Sequence, residues 1–133
     1  MLNRRSLLIA AALAAASASA IAPQARAAAT VPFSAPAFST ALEQGGPILI
    51  AVTAPWCPTC KAQKQVLTDL EAAGKHQAMQ IFEVDFDSQK DILRQFGVQQ
   101  QSTLIVFKAG KEVGRAVGQT SSAAIEDLLN KTL

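Results

Sequence analysis

The sequence predicts one α/β domain in which a central mixed β-sheet has helices on both faces. Residues 48–52 form a continuous apolar run of strand length, which indicates a central strand buried on both faces. Strand and helix patterns then alternate along the chain in the order β-α-β-α-β-β-α. The last two strands flank a short turn at residues 108–111 and therefore form a hairpin. A chain of 133 residues has room for one such domain.

A long helix is predicted after the first strand because apolar residues recur there at helical spacing. Ala62, Val66, Leu70 and Ala73 form a single apolar stripe, which we expect to face the core. Residues 79–86 alternate in a strand pattern.

The remaining elements have signals at their ends. Ser88 is the predicted N-cap of a short helix, and Gly97 follows its last residue. All six phenylalanines are expected in the core. The predicted ranges are a Pro-containing segment at 31–36, helical turns at 38–44, a strand at 48–52, a helix at 58–73, a strand at 79–86, a helix at 88–96, strands at 103–107 and 112–117, and a helix at 121–133.

Residues 1–27 are a predicted secretory signal peptide. Arg4 and Arg5 precede an apolar run at residues 7–16, and small residues follow, which is the order of parts in such signals. The arginine pair also resembles a twin-arginine export signal. The predicted export route is therefore either twin-arginine or general secretion.

Export implies a compartment in which disulfides persist. Signal cleavage is expected after Ala27, with Ala20 as the competing site, so that residues 28–133 form the mature domain. We expect the mature protein in the periplasm.

The charge of the chain gives no case for nucleic-acid binding. The formal net charge is +2, but three of the twelve basic residues lie in the predicted leader, leaving nine basic against ten acidic residues in the body. Since no basic run remains there, we expect no nucleic-acid partner.

One motif carries chemistry: Cys57-Pro58-Thr59-Cys60, preceded by Trp56, at the junction of the buried strand and the long helix. Backbone N–H groups and the helix dipole at a helix start stabilise an anion, so Cys57 is the expected thiolate nucleophile. Cys60, one turn further on and expected to be more buried, would resolve the mixed disulfide. Pro58 suits the first helical turn, and Trp56 would offer a flat apolar surface to a substrate.

Other uses of two cysteines fit the sequence less well. A structural disulfide over so short a loop restricts the unfolded chain little. With His76 the chain offers at most three soft metal ligands, so we expect no metal within one chain and no organic cofactor. Inert core cysteines remain a third interpretation.

Further along the chain, other segments match a family pattern together with this motif. The segments at 96–98, 102–108, 110–111 and 117–118, together with residues 56–61, resemble the thioredoxin family, and the resemblance covers residues 31–133. It implies a thioredoxin-like fold and thiol–disulfide exchange with protein substrates. It also implies that Gln101 and Ser102 lie beside the cysteines and contact substrate, together with Trp56, Pro58 and Thr59.

Three positions depart from the family pattern. Ser102 stands where family members have a cis-proline, and because a cis bond before a non-proline residue costs about 3 kcal/mol, the Gln101–Ser102 bond is expected to be trans. Without that proline, a metal or iron–sulfur site bridging two copies stays an alternative. Ala51 matches the family's buried aspartate, and Ile81 is assigned to the lysine that accompanies it.

These observations favour an exported thiol–disulfide oxidoreductase that acts as a monomer. A histidine between the cysteines would favour an oxidant, but Thr59 is no cation, so a reductase or electron relay is favoured. A reductase in an oxidising compartment needs an electron source, which we expect to be a membrane-bound thiol protein. The second hypothesis is a thioredoxin-fold binding or chaperone module with little turnover.

Overall fold

Strands and helices alternate along the described part of the chain. The computed structural model describes residues 29–133, and the predicted signal peptide at 1–27 lies outside the described residues. The elements are β1 (Thr30–Pro32), α1 (Ala35–Gln44), β2 (Ile48–Thr53), α2 (Pro58–Ala72), β3 (Gln80–Asp85), α3 (Lys90–Phe96), β4 (Thr103–Lys108), β5 (Lys111–Val117) and α4 (Ser122–Asn130).

The five strands form one mixed sheet in the order β1-β3-β2-β4-β5. β1 and β2 run parallel to β3, whereas β4 runs antiparallel to both β2 and β5. β2 is therefore the central strand, and Ile48, Leu49, Ile50 and Val52 on it are buried. Both the mixed sheet and the doubly buried central strand are confirmed.

Alternation along the strands divides the core between the two faces of the sheet. Ile50 and Val52 of β2 pack in one cluster with Phe38 of α1 and Leu93 of α3. Leu49 points to the opposite face, where the second cluster includes residues of α2 and α4. Each face thus carries two helices, which confirms the prediction of helices on both faces.

A group of phenylalanine rings holds α1 and α3 to the first face. The Phe38 ring lies 5.3–5.8 Å from the rings of Phe33, Phe82, Phe96 and Phe107, three of the four in edge-to-face geometry. All of these except Phe96 are buried; Phe96 and Phe86 are half-buried against the core.

The N-terminal part differs from the prediction. Strand β1 was not predicted, because its three residues are exposed and show no alternation. Helix α1 begins at Ala35, three residues before the predicted start, because the Ser34 side chain caps it by accepting from the Ala37 N–H. Pro36 lies in the first turn, where a missing N–H costs nothing.

The prediction that Ser88 caps α3 is wrong. The helix begins at Lys90, and its N-cap residue Gln89 makes no side-chain cap bond. The Ser88 N–H instead donates to Asp85 Oδ1 at 2.8 Å, and Gln89 Oε1 accepts from the Asp85 N–H. The aspartate therefore organises a turn after β3 that delays the helix.

The predicted buried stripe of α2 is partly wrong. Ala62 and Ala73 are exposed, and the buried residues of this helix are Cys60, Gln63 and Leu70. The buried face is thus rotated so that it includes an amide.

Helix α4 ends at Asn130, earlier than predicted. The Ser121 side chain accepts from the Ala124 N–H at its start. Within residues 29–133, every helix is too short or too polar to span a membrane.

Candidate active site

The two cysteines lie at the start of α2, just beyond the carboxyl end of the central strand. Cys57 is the N-cap residue of the helix, and its Sγ accepts from the Cys60 N–H at 3.1 Å. Cys57 and Cys60 are joined by a disulfide. Because this N–H and the helix dipole point at Sγ of Cys57, they would stabilise a negative charge there once the disulfide is opened.

Both cysteines are covered. Cys57 is 4% exposed and Cys60 is 6% exposed, so the expectation that Cys60 is the more buried residue is wrong. Cys57 is covered because Ala54 packs against the pair and Ser102 lies over its sulfur.

Ser102 contacts both sulfurs. Its Oγ lies 3.2 Å from Cys57 Sγ and 3.1 Å from Cys60 Sγ, and the residue is only 3% exposed. The expectation that Ser102 lies beside the cysteines is confirmed.

The backbone of Ser102 has an unusual conformation. No peptide bond among residues 29–133 is cis, so the Gln101–Ser102 bond is trans as expected, and φ at Ser102 is 62°, a left-handed value that is uncommon for serine. The Ser102 N–H donates to the Val52 carbonyl at 2.9 Å, and its own carbonyl accepts from the Gly118 N–H at 2.9 Å. Proline could neither adopt this φ nor make the first bond.

Gln63 is a buried amide that the sequence analysis missed. Its Nε2 donates to the Ser102 carbonyl at 3.0 Å and to the Gln119 carbonyl at 2.9 Å. Gln63 therefore ties the loop before β4 and the loop after β5 to the helix that carries the cysteines. Its spacing of three from Cys60 was the available signal, since it places Gln63 on the same helix face.

Trp56 presents its ring to solvent beside the disulfide. The residue is 57% exposed, yet its Nε1–H donates to Asp87 Oδ2 at 2.8 Å and its ring meets Phe86 edge-on at 6.4 Å. The indole is therefore exposed but held in one orientation, which suits a contact surface.

The turn that supplies Asp87 is organised by Asp85. The Ser88 N–H and hydroxyl, the Asp87 N–H and the charge of Lys90 hold the pKa of the Asp85 carboxyl below its ordinary value. Asp85 thus shapes the turn, and Asp87 holds Trp56.

The other predicted contact residues surround the pair less closely. Pro58 occupies the first turn of α2 and is exposed, and Thr59 is half-buried. Gln101 is half-buried, and its backbone N–H and C=O form no hydrogen bond within residues 29–133. Within that range, the fold makes no use of these two backbone groups.

Behind Cys60, an open pocket lies between part of α2 and the sheet. Strand register places Glu83 opposite Ala51 and places Ile81 opposite Leu49. The assignment of Ile81 to the position beside Ala51 is therefore wrong by two residues. The residue beside Ala51 is Glu83, whose side chain is a carboxylate. Both side chains line the pocket.

Glu83 pairs with Lys64 at the pocket rim, with Nζ and Oε1 3.3 Å apart. Because the Lys64 side chain is 70% exposed, solvent screens this pair and it contributes little to stability. Across residues 29–133, no three side chains of the metal-binding types converge on one point.

The chain is similar to thioredoxins in both sequence and structure. The family model "Thioredoxin" matches residues 29–131. A thioredoxin of Chlamydia trachomatis is 40% identical over 86 residues, covering 65% of this chain and 82% of that protein. Thioredoxin Asp f 29 of Aspergillus fumigatus is 30% identical over 81 residues, covering 61% and 74%. The crystal structure of Trxlp from Edwardsiella tarda is 46% identical, with a TM-score of 0.73, and the match covers 76% of this chain and 98% of that one.

A mixed sheet of this order, with a Cys-x-x-Cys pair at the start of the helix after its central strand, defines a thiol–disulfide oxidoreductase with a thioredoxin-like fold. The family match extends over most of the sequence. The chain belongs to the thioredoxin family.

The role of Gln63 can be tested by removing its donor groups without removing its volume. We expect Gln63→Leu to lower the free energy of unfolding by about 1–2 kcal/mol, because two carbonyls lose their hydrogen bonds. Gln65→Leu is the matched control, since Gln65 lies on the exposed face of the same helix and bonds only Asp69. Its effect should stay within about 0.5 kcal/mol. Equal losses in urea denaturation would contradict the assignment.

Proposed function

We propose that this protein is an exported reductase or electron relay that passes electrons to disulfides of other proteins. Membership of the thioredoxin family supplies the exchange chemistry. The observation that carries the exchange reaction is the position of Cys57 at the N-cap of α2, with the Cys60 N–H directed at its sulfur. That environment favours a thiolate, which is the nucleophile in disulfide exchange.

In the proposed reaction, Cys57 is the nucleophile and Cys60 the resolving residue. The Cys57 thiolate attacks one sulfur of a substrate disulfide, and the other substrate sulfur leaves with the electron pair. Cys60, as its thiolate, then attacks Cys57 Sγ and releases the second substrate sulfur. The substrate ends reduced, and the protein ends with the Cys57–Cys60 disulfide.

A substrate chain would dock on the surface around Cys57. Trp56 supplies a fixed apolar plane, and the free backbone groups of Gln101 can pair with an extended segment. Pro58 and Thr59 in the first turn of α2 would border the same segment, with Ser102 beneath it. This assignment rests on their positions around the disulfide.

The reducing direction is favoured by what lies between the cysteines. Neither Pro58 nor Thr59 carries a positive charge, so they add nothing to thiolate stabilisation beyond the helix start. A dithiol whose thiolate is less stabilised is a stronger reductant. The predicted leader supports export to the periplasm, where a membrane-bound thiol protein would re-reduce this monomeric relay.

A binding or chaperone module with little turnover is the second candidate. It is favoured by the two departures at the site: Ala51 provides no carboxylate beneath the pair, and the Ser102 N–H is used by Val52. The assays below separate it from the redox function.

Substitution of each cysteine separates catalysis from binding. We expect the protein to accelerate insulin reduction by dithiothreitol, and Cys57→Ser and Cys60→Ser to abolish the acceleration. Only Cys60→Ser should accumulate a mixed disulfide with substrate, since it keeps the nucleophile. A trapped complex in Cys57→Ser alone would reverse the two roles. An inactive protein whose substrate binding survives Cys57→Ser would support the binding module.

The reduction potential tests the direction of electron flow. After equilibration of the purified protein with glutathione buffers, we expect a value of about −230 mV or lower. A value near about −120 mV is typical of strong periplasmic oxidants and would overturn the reducing assignment.

Export can be tested with the full chain in a bacterium that has a periplasm. We expect the protein in the periplasm, with a measured mass that corresponds to residues 28–133. Replacing Arg4 and Arg5 together by lysine keeps the charge but should block a twin-arginine route, whereas general secretion should continue. Full-length protein retained in the cytoplasm of the parent strain would contradict export.

A further inference from the structure

In the described part of the chain, the hydroxyl of Ser102 has the two cysteine sulfurs as its only partners. It lies 3.2 Å from Cys57 Sγ and 3.1 Å from Cys60 Sγ, and it makes no other hydrogen bond within residues 29–133. Neither sulfur of the disulfide carries a hydrogen, so the serine hydroxyl is the donor, and it can direct its single hydrogen at either sulfur.

The chain positions this hydroxyl at a cost in backbone conformation. Serine at φ 62° is strained, and the conformation persists because both backbone polar groups of Ser102 are bonded. The N–H is held by the Val52 carbonyl, while the carbonyl is held by Gly118 and Gln63. The side chain is therefore aimed at the disulfide by groups from β2, α2 and the loop after β5.

We propose that Ser102 is a catalytic residue whose hydroxyl donates its hydrogen bond to whichever sulfur of the pair carries negative charge. A hydroxyl hydrogen turns freely about its C–O bond and can face either sulfur without movement of the backbone. Hydrogen bonds to a charged acceptor are roughly twice as strong as those between neutral groups. The donor therefore matters most when a thiolate is present.

The charge changes sulfur during one reaction cycle. When a thiolate of a dithiol reductant attacks Cys57 Sγ, a bond forms between those two sulfurs and the Cys57–Cys60 bond breaks. The electron pair goes to Cys60 Sγ, and the hydroxyl stabilises this leaving thiolate. The second thiolate of the reductant then attacks the other reductant sulfur, which is bonded to Cys57 Sγ in the mixed disulfide. Cys57 leaves as the thiolate, the reductant ends as a disulfide, and the hydroxyl turns to Cys57.

The test removes the hydroxyl in two ways that affect the backbone oppositely. Ser102→Ala deletes it and keeps a side chain at positive φ, whereas Ser102→Gly deletes it and relieves the strain. In both variants we expect the pKa of Cys57 in the reduced protein, read from thiolate ultraviolet absorbance, to rise by about one unit, a tenfold weaker acid. Reduction of the disulfide by dithiothreitol at fixed pH should slow by about three- to tenfold, because the leaving thiolate loses its donor.

Thr103→Val is the control for loss of a neighbouring buried hydroxyl. Thr103 Oγ1 donates to the Gln100 carbonyl and touches neither sulfur, so both readouts should stay at the parent values. Folded Ala and Gly variants with an unchanged pKa and an unchanged rate would overturn the proposal. A shift of equal size in Thr103→Val would also overturn it, since loop packing would then explain the effect.

The inference rests on exchange at the Cys57–Cys60 pair, which is part of the proposed function. Its test uses a small dithiol and needs neither export nor a protein substrate. A protein that fails to reduce insulin, or that is not found in the periplasm, would count against the proposed function. The measurements on the Ser102 variants would still decide whether the Ser102 hydroxyl acts on the sulfurs.

Discussion

The hydrogen bond from the Ser102 N–H to the Val52 carbonyl is the contact on which the geometry of the site depends. Val52 lies near the end of the central strand, and the helix that carries the cysteines starts shortly after it. By binding that carbonyl, the residue before β4 is fixed against the same strand end. Because the bond is buried, it is stronger than it would be in water, and it places the serine hydroxyl over both sulfurs.

A proline at this position would create a different site. Proline has no N–H to donate to the Val52 carbonyl, and its ring holds φ near −65°. At this position it would present that apolar ring to the cysteines. Serine exchanges that ring for a polar hydrogen directed at the sulfurs. The buried amide of Gln63 accompanies this serine, because the Ser102 carbonyl turns into the interior and needs a hydrogen-bond donor there. Two polar residues in a covered site thus satisfy each other across 39 positions of sequence.

Local patterns predicted most of the fold, because strand and helix periodicities reflect burial directly. The apolar run at 48–52 and the cysteine pair after it located the sheet centre and the site. Features that depend on distant partners were not predictable in this way. From the sequence alone, Gln63 looks like a surface residue, because the loop carbonyls that accept its hydrogen bonds are distant in sequence. The register that puts Glu83 opposite Ala51 is set by pairing between two strands. Likewise, the Asp85 side chain overrode a good helix cap at Ser88.

The position of Trp56 makes the site its own reporter. It is the only tryptophan in the sequence, it adjoins Cys57, and Asp87 holds its ring in one orientation. All of the indole fluorescence of the protein therefore comes from a ring beside the pair, and opening the disulfide changes the surroundings of that one ring. The intrinsic emission of a sample can therefore serve as a signal from the active site itself, without a dye and without a coupled enzyme.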